Sequence, residues 1–380
     1  MKRADELIPW KVTDISLRPF KQMWCLNPSI HFDGQLWRCT IRCADYALPA
    51  GREIRSAKAK PGQSRTKNAM VIFDPSSWKP VELYKIKEHD NLPRVSASSI
   101  GYEDIRLFRT DRYGLQGIAA ALHLRRADRL DPRAEQVLLW FDEEYNVVEA
   151  RPIRGTGSTW STTAQKNWAP FDHCAEPRFL YAINNAIDKG TPAPARLFDD
   201  RGEILDARDA QVRLSTRPRR SFGPDAQAVL DAQERARDAE REREREYRRR
   251  AEHRSPRGGD DTALSDVPAD VQDANYVGLR GGSQLVRVGD DAWLGIGHTM
   301  RFVDGLKLYW HVFYLTDSRG TIKAASAPMK LAPNKIEFAA GLAIDGDRVV
   351  ISFGVDDMEA KIGETSLAAV LAMSQPIGAL

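Results

Sequence analysis

The feature that most constrains this chain is a unit that recurs along it. Five segments share one layout: a polar or small-residue entry, a short strand, a tight turn and a second apolar strand. They begin at Asn27 (NPSIHFDGQLWRCTIRCADY), Tyr102 (YEDIRLFRTDRYGLQGIAAALHL), Lys166 (KNWAPFDHCAEPRFLYAI), Gly281 (GGSQLVRVGDDAWLGIGHTMRF) and Glu337 (EFAAGLAIDGDRVVISFGVDD). Asp33–Gly34, Arg112–Gly114, Gly289–Asp291 and Asp345–Asp347 supply hairpin turns, because Gly, Asp and Asn reach backbone angles that other residues resist. The third unit has only a weak turn at Asp172–Cys174.

A second hairpin follows each of the first four units, with Asp74, Asp142, Asp199 or Asp200, and Asp317 at one turn position. Asp there is explained by its carboxylate accepting backbone N–H groups within the turn. Two hairpins per unit, about sixty residues apart, predict four-stranded antiparallel sheets repeated around an axis: an all-β, five-bladed β-propeller. The last unit lacks its outer hairpin, and residues 7–18 are expected to complete it and close the ring, which removes an exposed edge. The repeat is interrupted once. Residues 225–265 alternate Arg and Glu over most of their length and carry almost no apolar stripe, so a solvated helix or disordered insertion is expected between the third and fourth blades. The propeller then comprises residues 1–224 and 266–380.

Composition excludes several classes. The chain has 56 basic against 53 acidic residues, a net charge of +3, which gives no nucleic-acid footprint. No stretch approaches the roughly 18 apolar residues of a membrane span, and the start lacks a signal peptide's apolar run, so a cytoplasmic protein is expected. Cys25, Cys39, Cys43 and Cys174 show no metal-ligand spacing and read as reduced, mostly buried thiols. No metal or cofactor is implied.

In a propeller the inner strands converge on a channel, so their polar entry residues should meet. These are Asn27, Arg38, Arg42 and Asp45; Glu103, Asp104 and Arg106; Lys166 and Asn167; Arg280, Gly281, Gly282 and His298; and Glu337, Asp356 and Asp357. Carboxylates, amides and cations beside Trp24, Tyr102 and Trp168 suit a polyhydroxylated ligand, because acids accept from sugar hydroxyls and aromatic faces cover the apolar side of a ring. Two readings stand for the acids of GYEDIRLF: channel-facing site residues, or a strand-end cap in which Asp104 pairs with Arg106. His298 and His311 lie in apolar runs; His311 reads as structural, and His298 as either core or site.

The ordered series NPSI with a downstream WR, YEDIRLF, KNW, RGGSQL followed by LGIGHT, and IEFAAGL with ISFGVDD resembles the five-bladed propeller glycosidases. It is most similar to the mannoside phosphorylase and β-mannosidase family, with its EDPR, KNW, GxPP and HG motifs. It also resembles propeller domains found beside bacterial glycosyltransferases. The resemblance implies an inverting reaction at a glycosidic bond, with Asp104 as general acid, Glu103 and Arg106 shaping its ionisation and holding the sugar, and phosphate or water attacking. Arg106, Lys166 and His298, with Arg38 or Arg42, are then the phosphate donors, and inorganic phosphate the co-substrate. EDIR in place of EDPR and GGSQL in place of GxPP depart from the family pattern, the second at the loop lining the sugar subsite. With water as nucleophile a second carboxylate must act as base, roughly 6.5–9.5 Å from the acid. Glu337 is the first candidate, before Asp356 and Asp45, and a role in binding a sugar hydroxyl is equally open to it.

The expected ligand is thus an oligosaccharide or sugar phosphate. Three functions remain: an enzyme, a non-catalytic carbohydrate-binding propeller, and a scaffold holding a protein partner through the charged insertion.

Overall fold

The computed structural model describes residues 2–49, 54–56, 64–87, 99–123, 133–153, 167–181, 196–199, 277–303, 306–332 and 336–376. The charged insertion at 225–265 and Lys166 lie outside these residues. The chain is all-β in a propeller arrangement. The first sheet runs Trp24–Phe32, Trp37–Ala44, Ser64–Phe73, Pro80–Lys85, and the second Glu103–Thr110, Gly114–His123, Arg133–Phe141, Val147–Pro152. The third holds Ala169–Pro170, Arg178–Tyr181 and Arg196–Asp199. In the fourth, Val277–Gly281 and Val286–Gly289 both pair with Ala292–Val303, followed by Leu306–Thr316, Ile322–Ala325 and Gln375–Pro376. The fifth sheet runs Glu337–Asp345, Arg348–Val355, Glu359–Ser366 and finally Lys11–Asp14 from the N-terminus.

Four of these sheets therefore contain at least the four strands of a complete blade, the first adding Ser99–Ile100 beside Ser64–Phe73. The expectation of five complete blades is corrected at the third unit, which shows three strands among the described residues. Its inner strand is only two residues long and ends on Pro170, which has no N–H to donate to a longer ladder. The N-terminal segment does complete the last sheet: Lys11 to Asp14 pair with Glu364 to Lys361. The expected turns form, with Gly34, Gly114 and Gly346 at positive φ. Asp74, Asp142 and Asp317 cap their turns as the sequence implied, each accepting backbone N–H groups two to four residues on.

Neighbouring sheets are joined by hydrogen bonds that involve their inner strands, their second strands and the turns beside them. Ser29 Oγ accepts from Leu107 N, and Thr40 Oγ1 donates to Ile105 O. Asp111 N donates to Cys174 O, and Leu285 N to Pro170 O. Gln284 accepts from Leu342 N, and Ser352 Oγ accepts from Ile30 N while donating to Pro28 O. Between the sheets lie apolar layers, such as Ile30, Trp37, Ile41, Val71, Val350 and Ile362 between the first and fifth. The four cysteines are free thiols, with Cys25 and Cys43 sulfurs 3.6 Å apart.

Gly341 sits at a close approach of the first and fifth sheets. A Cβ there would collide with Ile30 N and Ser352 Oγ and lie 2.8 Å from Ser29 Cα. These atoms are backbone or already committed to the inter-sheet bonds, so they cannot yield without breaking the seam. Gly341→Ala should destabilise the protein by about 1–3 kcal/mol in urea unfolding. A cost within error of zero would show that the seam can open there.

Candidate functional site

At three inner-strand entries the backbone takes a conformation that most residues avoid. Asn27, Asp104 and Asn167 have φ of 46°, 54° and 64°. Asn and Asp are the non-glycine residues that tolerate this left-handed region best, which is why NPS, EDI and NWA can occupy these places. In the first two sheets the strand register slips at the same point, between Leu26 and Ser29 and opposite Glu103–Arg106. Such bulges turn a side chain away from the normal to the sheet. Here Asn27 and Asp104 from the bulged strands, with Asn167 just ahead of the third sheet's inner strand, line the wall of one cavity of about 330 Å³.

Arg42 organises that wall. It is 4% exposed, and its guanidinium reaches Asp104 Oδ1 at 2.9 Å, Glu103 Oε1 at 3.2 Å, Tyr46 Oη at 2.9 Å and Thr66 Oγ1 at 3.3 Å. Burial alone would lower its pKa, but the charge of Glu103, with Tyr46, Asp104 and Asp357, outweighs burial and holds it well above the ordinary value. Asp104 Oδ1 also accepts from Asn27 Nδ2 at 2.9 Å. The Tyr46 hydroxyl is pushed well up by burial, Arg42 opposing, with Asp357, Glu103 and Asp104 adding to the rise, so it stays a neutral donor. Adjacent acids are tolerated because one buried guanidinium bridges them.

Arg106 stands behind the wall. It is 1% exposed, donates through Nε to Gly282 O and through Nη2 to Asn167 Oδ1 at 2.8 Å, and faces the Phe338 ring 5.6 Å away. Burial pushes its pKa down to about 10, with Asp104 and Tyr314 opposing. Arg106 thus ties the second sheet to the third and fourth instead of presenting donors to a ligand. Gly282 is required as glycine, since a Cβ would meet Ile296 O at 2.6 Å and Ala339 O at 2.7 Å. His298 lines the cavity between Tyr309 and Phe338, at ring distances of 5.6 and 4.9 Å. Arg280 and Asp357, two further members of the expected set, also line it.

Other expected residues lie elsewhere. Arg38 is at the far end of its strand from Arg42, paired with Asp33 and donating to Tyr145 Oη at 3.0 Å. Asp45 accepts from Arg65 N at 2.9 Å beside a separate surface pocket. Glu337 is fully buried, accepts from the N–H groups of Leu331 and Ala332, and lies 3.4 Å from His311 Nδ1. His311 is structural as expected, its Nε2 accepting from Ala339 N. Asp356 binds Ile336 N at 3.0 Å, and its neighbour Asp357 is the one on the cavity wall. Trp168 and Tyr102 are core residues. The aromatic surfaces come from Tyr46, Tyr309 and Phe338, which the sequence reading missed; Phe338, directly after Glu337 at an inner-strand entry, was the one with a usable signal.

The Arg38–Asp33 pair gives a test that separates this end of the sheet from the cavity. Burial would raise the Asp33 carboxyl, but the Leu36 N–H, the Arg38 guanidinium and the Gln35 N–H outweigh it and hold it at about 2. A carboxyl depressed in the folded state contributes stability above its unfolded pKa of about 4, and that contribution is lost as pH falls towards 2. Arg38→Ala should therefore begin acid unfolding at higher pH than the parent while leaving ligand binding in the cavity unchanged. Impaired binding at neutral pH would return Arg38 to the site.

No known sequence family and no curated protein matches this chain. Among solved structures, one from work on the GH130 family of mannoside phosphorylases, containing glycoside hydrolases that target β-1,2 mannosidic linkages in Candida mannan, superposes with a TM-score of 0.50 at 10% identity, covering 94% of this chain and 88% of that one. A β-1,2-mannobiose phosphorylase from Listeria innocua, in complex with β-1,2-mannobiose, gives 0.48 at 9% identity over 95% and 96% of the two chains. A mannose phosphorylase from Leishmania mexicana, in complex with phosphate ion, gives 0.46 at 11% over 97% and 91%. No helix among the described residues is long and apolar enough to cross a membrane. At such identity the likeness to the first of these structures establishes a shared fold, and the chemistry has to be argued from the cavity.

Proposed function

We propose that this chain is a carbohydrate-active propeller that cleaves or forms a glycosidic bond with inversion, and that the three-stranded third sheet serves as the fifth blade around its channel. The observation that supports it most is the convergence of Asn27, Asp104 and Asn167, each on left-handed backbone, in a cavity that also offers Tyr46, Tyr309 and Phe338. Strained polar residues collect at functional sites, and acids beside aromatic faces match a sugar ring's polar edge and apolar face. The GH130-like fold fits this reading.

Asp104 is the general acid in this proposal. Arg42 and Asn27 both donate to its Oδ1. Displacing water with a sugar, next to Glu103, favours the protonated form. Asp357 replaces Glu337 as the candidate base, because Glu337 is enclosed and committed to backbone N–H groups. For phosphate as co-substrate, Arg280 and His298 on the wall are the donors, with Arg42 shared with the acids. The Arg42 bridge also favours a second reading, a sugar-binding propeller whose acids are held permanently as acceptors.

A screen of mannosyl and glucosyl disaccharides and sugar 1-phosphates, with and without phosphate, decides among these. Asp104→Asn keeps the shape and the acceptor oxygen but removes the transferable proton, so turnover should fall by about 10²–10⁴ while binding is retained. Phosphate-dependent release of sugar 1-phosphate identifies a phosphorylase. Phosphate-independent release, abolished in Asp357→Asn, identifies a hydrolase. Binding without turnover in the parent would replace the enzyme with the binding module.

A further inference from the structure

The inner strands that open on the cavity carry a second cluster at their other ends. His31 lies four residues beyond Asn27, about 13 Å along the strand, and Asp172 and His173 follow Asn167 at a similar remove. His31 Nε2 is 3.2 Å from Asp172 Oδ1, and His173 Nε2 is 3.8 Å from Asp172 Oδ2. One ligand atom from each residue lies within 4.8 Å of the others, and the two imidazole rings stack with centroids 6.1 Å apart. We propose that His31, Asp172 and His173 form a binding site for a divalent transition-metal ion of the zinc type, remote from the carbohydrate cavity.

Several features support a ligand over a plain buried pair. The Asp172 side chain is 4% exposed, yet its partners are the two imidazoles and the Arg109 N–H at 2.7 Å, with no ammonium or guanidinium contact among the described residues. A buried carboxylate is costly without full charge compensation, which a dication supplies. His31 is completely buried, and its Nδ1 has no hydrogen-bond partner among the described residues. Nε2 is the ring nitrogen that faces Asp172, and in the tautomer protonated at Nδ1 it holds a lone pair for a metal. His173 is at φ 53°, a conformation histidine rarely takes, with its N–H fixed to Arg109 O at 2.8 Å. That backbone holds its half-exposed ring beside Asp172.

Two nitrogens and a carboxylate are a common ligand set for zinc, and ligands at about 2.0–2.2 Å from one ion lie at most about 4.3 Å apart. The separations of 3.2 and 3.8 Å fall inside that limit, and the exposed His173 ring can close the third. The ion would link the first sheet to the third, whose inner strand is two residues long. Nothing in the spacing of the sequence signals the site, because His31 and Asp172 are 141 residues apart.

The test uses full-length, untagged protein stripped with EDTA and titrated with ZnCl₂ by calorimetry, with Co²⁺ as an absorbance probe. One equivalent should bind, the melting temperature should rise by about 5 °C at saturating zinc, and Co²⁺ should give visible ligand-field bands. His173→Ala removes an exposed ring, so it should fold, and should weaken zinc binding by at least about 10-fold. His31→Gln, checked by circular dichroism, should do the same. Absence of saturable binding in the parent, or equal binding in His173→Ala, would overturn the site and leave a buried hydrogen-bonded pair.

Discussion

The structure depends on how the innermost edge of each sheet is satisfied. An inner strand has a sheet neighbour on one side only, and its other row of N–H and C=O groups faces a dry seam where each unpaired group would cost on the order of 1–3 kcal/mol. Here those groups are met by the next sheet and by a few buried side chains. Ser29, Thr40, Gln284 and Ser352 each bond backbone across a seam, and Gln284 also reaches Ile30 O at 2.6 Å. These polar residues lie in or beside otherwise apolar strands, and they join the sheets together with the apolar layers. Gly341 and Gly282 belong to the same solution, since both sit where backbones must approach more closely than a Cβ allows.

The same seams explain why the cavity lies where it does. A bulge ends regular pairing, so side chains at the strand entries are released from the alternation of the ladder and turn towards the channel. The left-handed backbone costs roughly 1–2 kcal/mol at each residue, and Asn27, Asp104 and Asn167 recover part of that through bonds among themselves and to the two arginines. Arg42 and Arg106 divide the work. Arg42 balances the acids on the cavity wall, and Arg106, buried behind it, fixes Asn167 and the Gly282 carbonyl.

The repeat made the sheets legible because turn chemistry is local. Asp33–Gly34, Asp345–Asp347 and the capping Asp74, Asp142 and Asp317 act through their own backbone, and closure by the N-terminal strand followed from one missing edge. The ends of strands were harder to read. Arg38, Thr40 and Arg42 have the same parity and share a face, so alternation selects both arginines; only the seam contacts decide that Arg42 reaches the cavity and Arg38 the opposite rim. Glu337 resembled Asp104 as an acid opening an inner strand. Its strand stays paired with Val355 at that point, and the register slip comes later, between Ala339 and Gly341, so the side chain turns into the core. Tyr46 and Tyr309 were invisible because neither belongs to an inner-strand entry.

The third sheet is where fold and site are most closely coupled. Its inner strand pairs through Ala169 and Pro170 alone, so its position comes from neighbours: Leu285 and Asp111 through backbone bonds, and Trp168 and Phe179 packed against Phe108. Asn167 is presented to the cavity from this short strand, and its amide is held by Arg106 of the second sheet. At the opposite end Asp172 is held by His31 of the first sheet and by the Arg109 N–H of the second. The element with the least pairing of its own is thus fixed at both ends by charged or polar groups from two other sheets. A shift there would move Asn167 relative to Asp104, so the shape of the cavity is set partly by contacts at the far end of the channel.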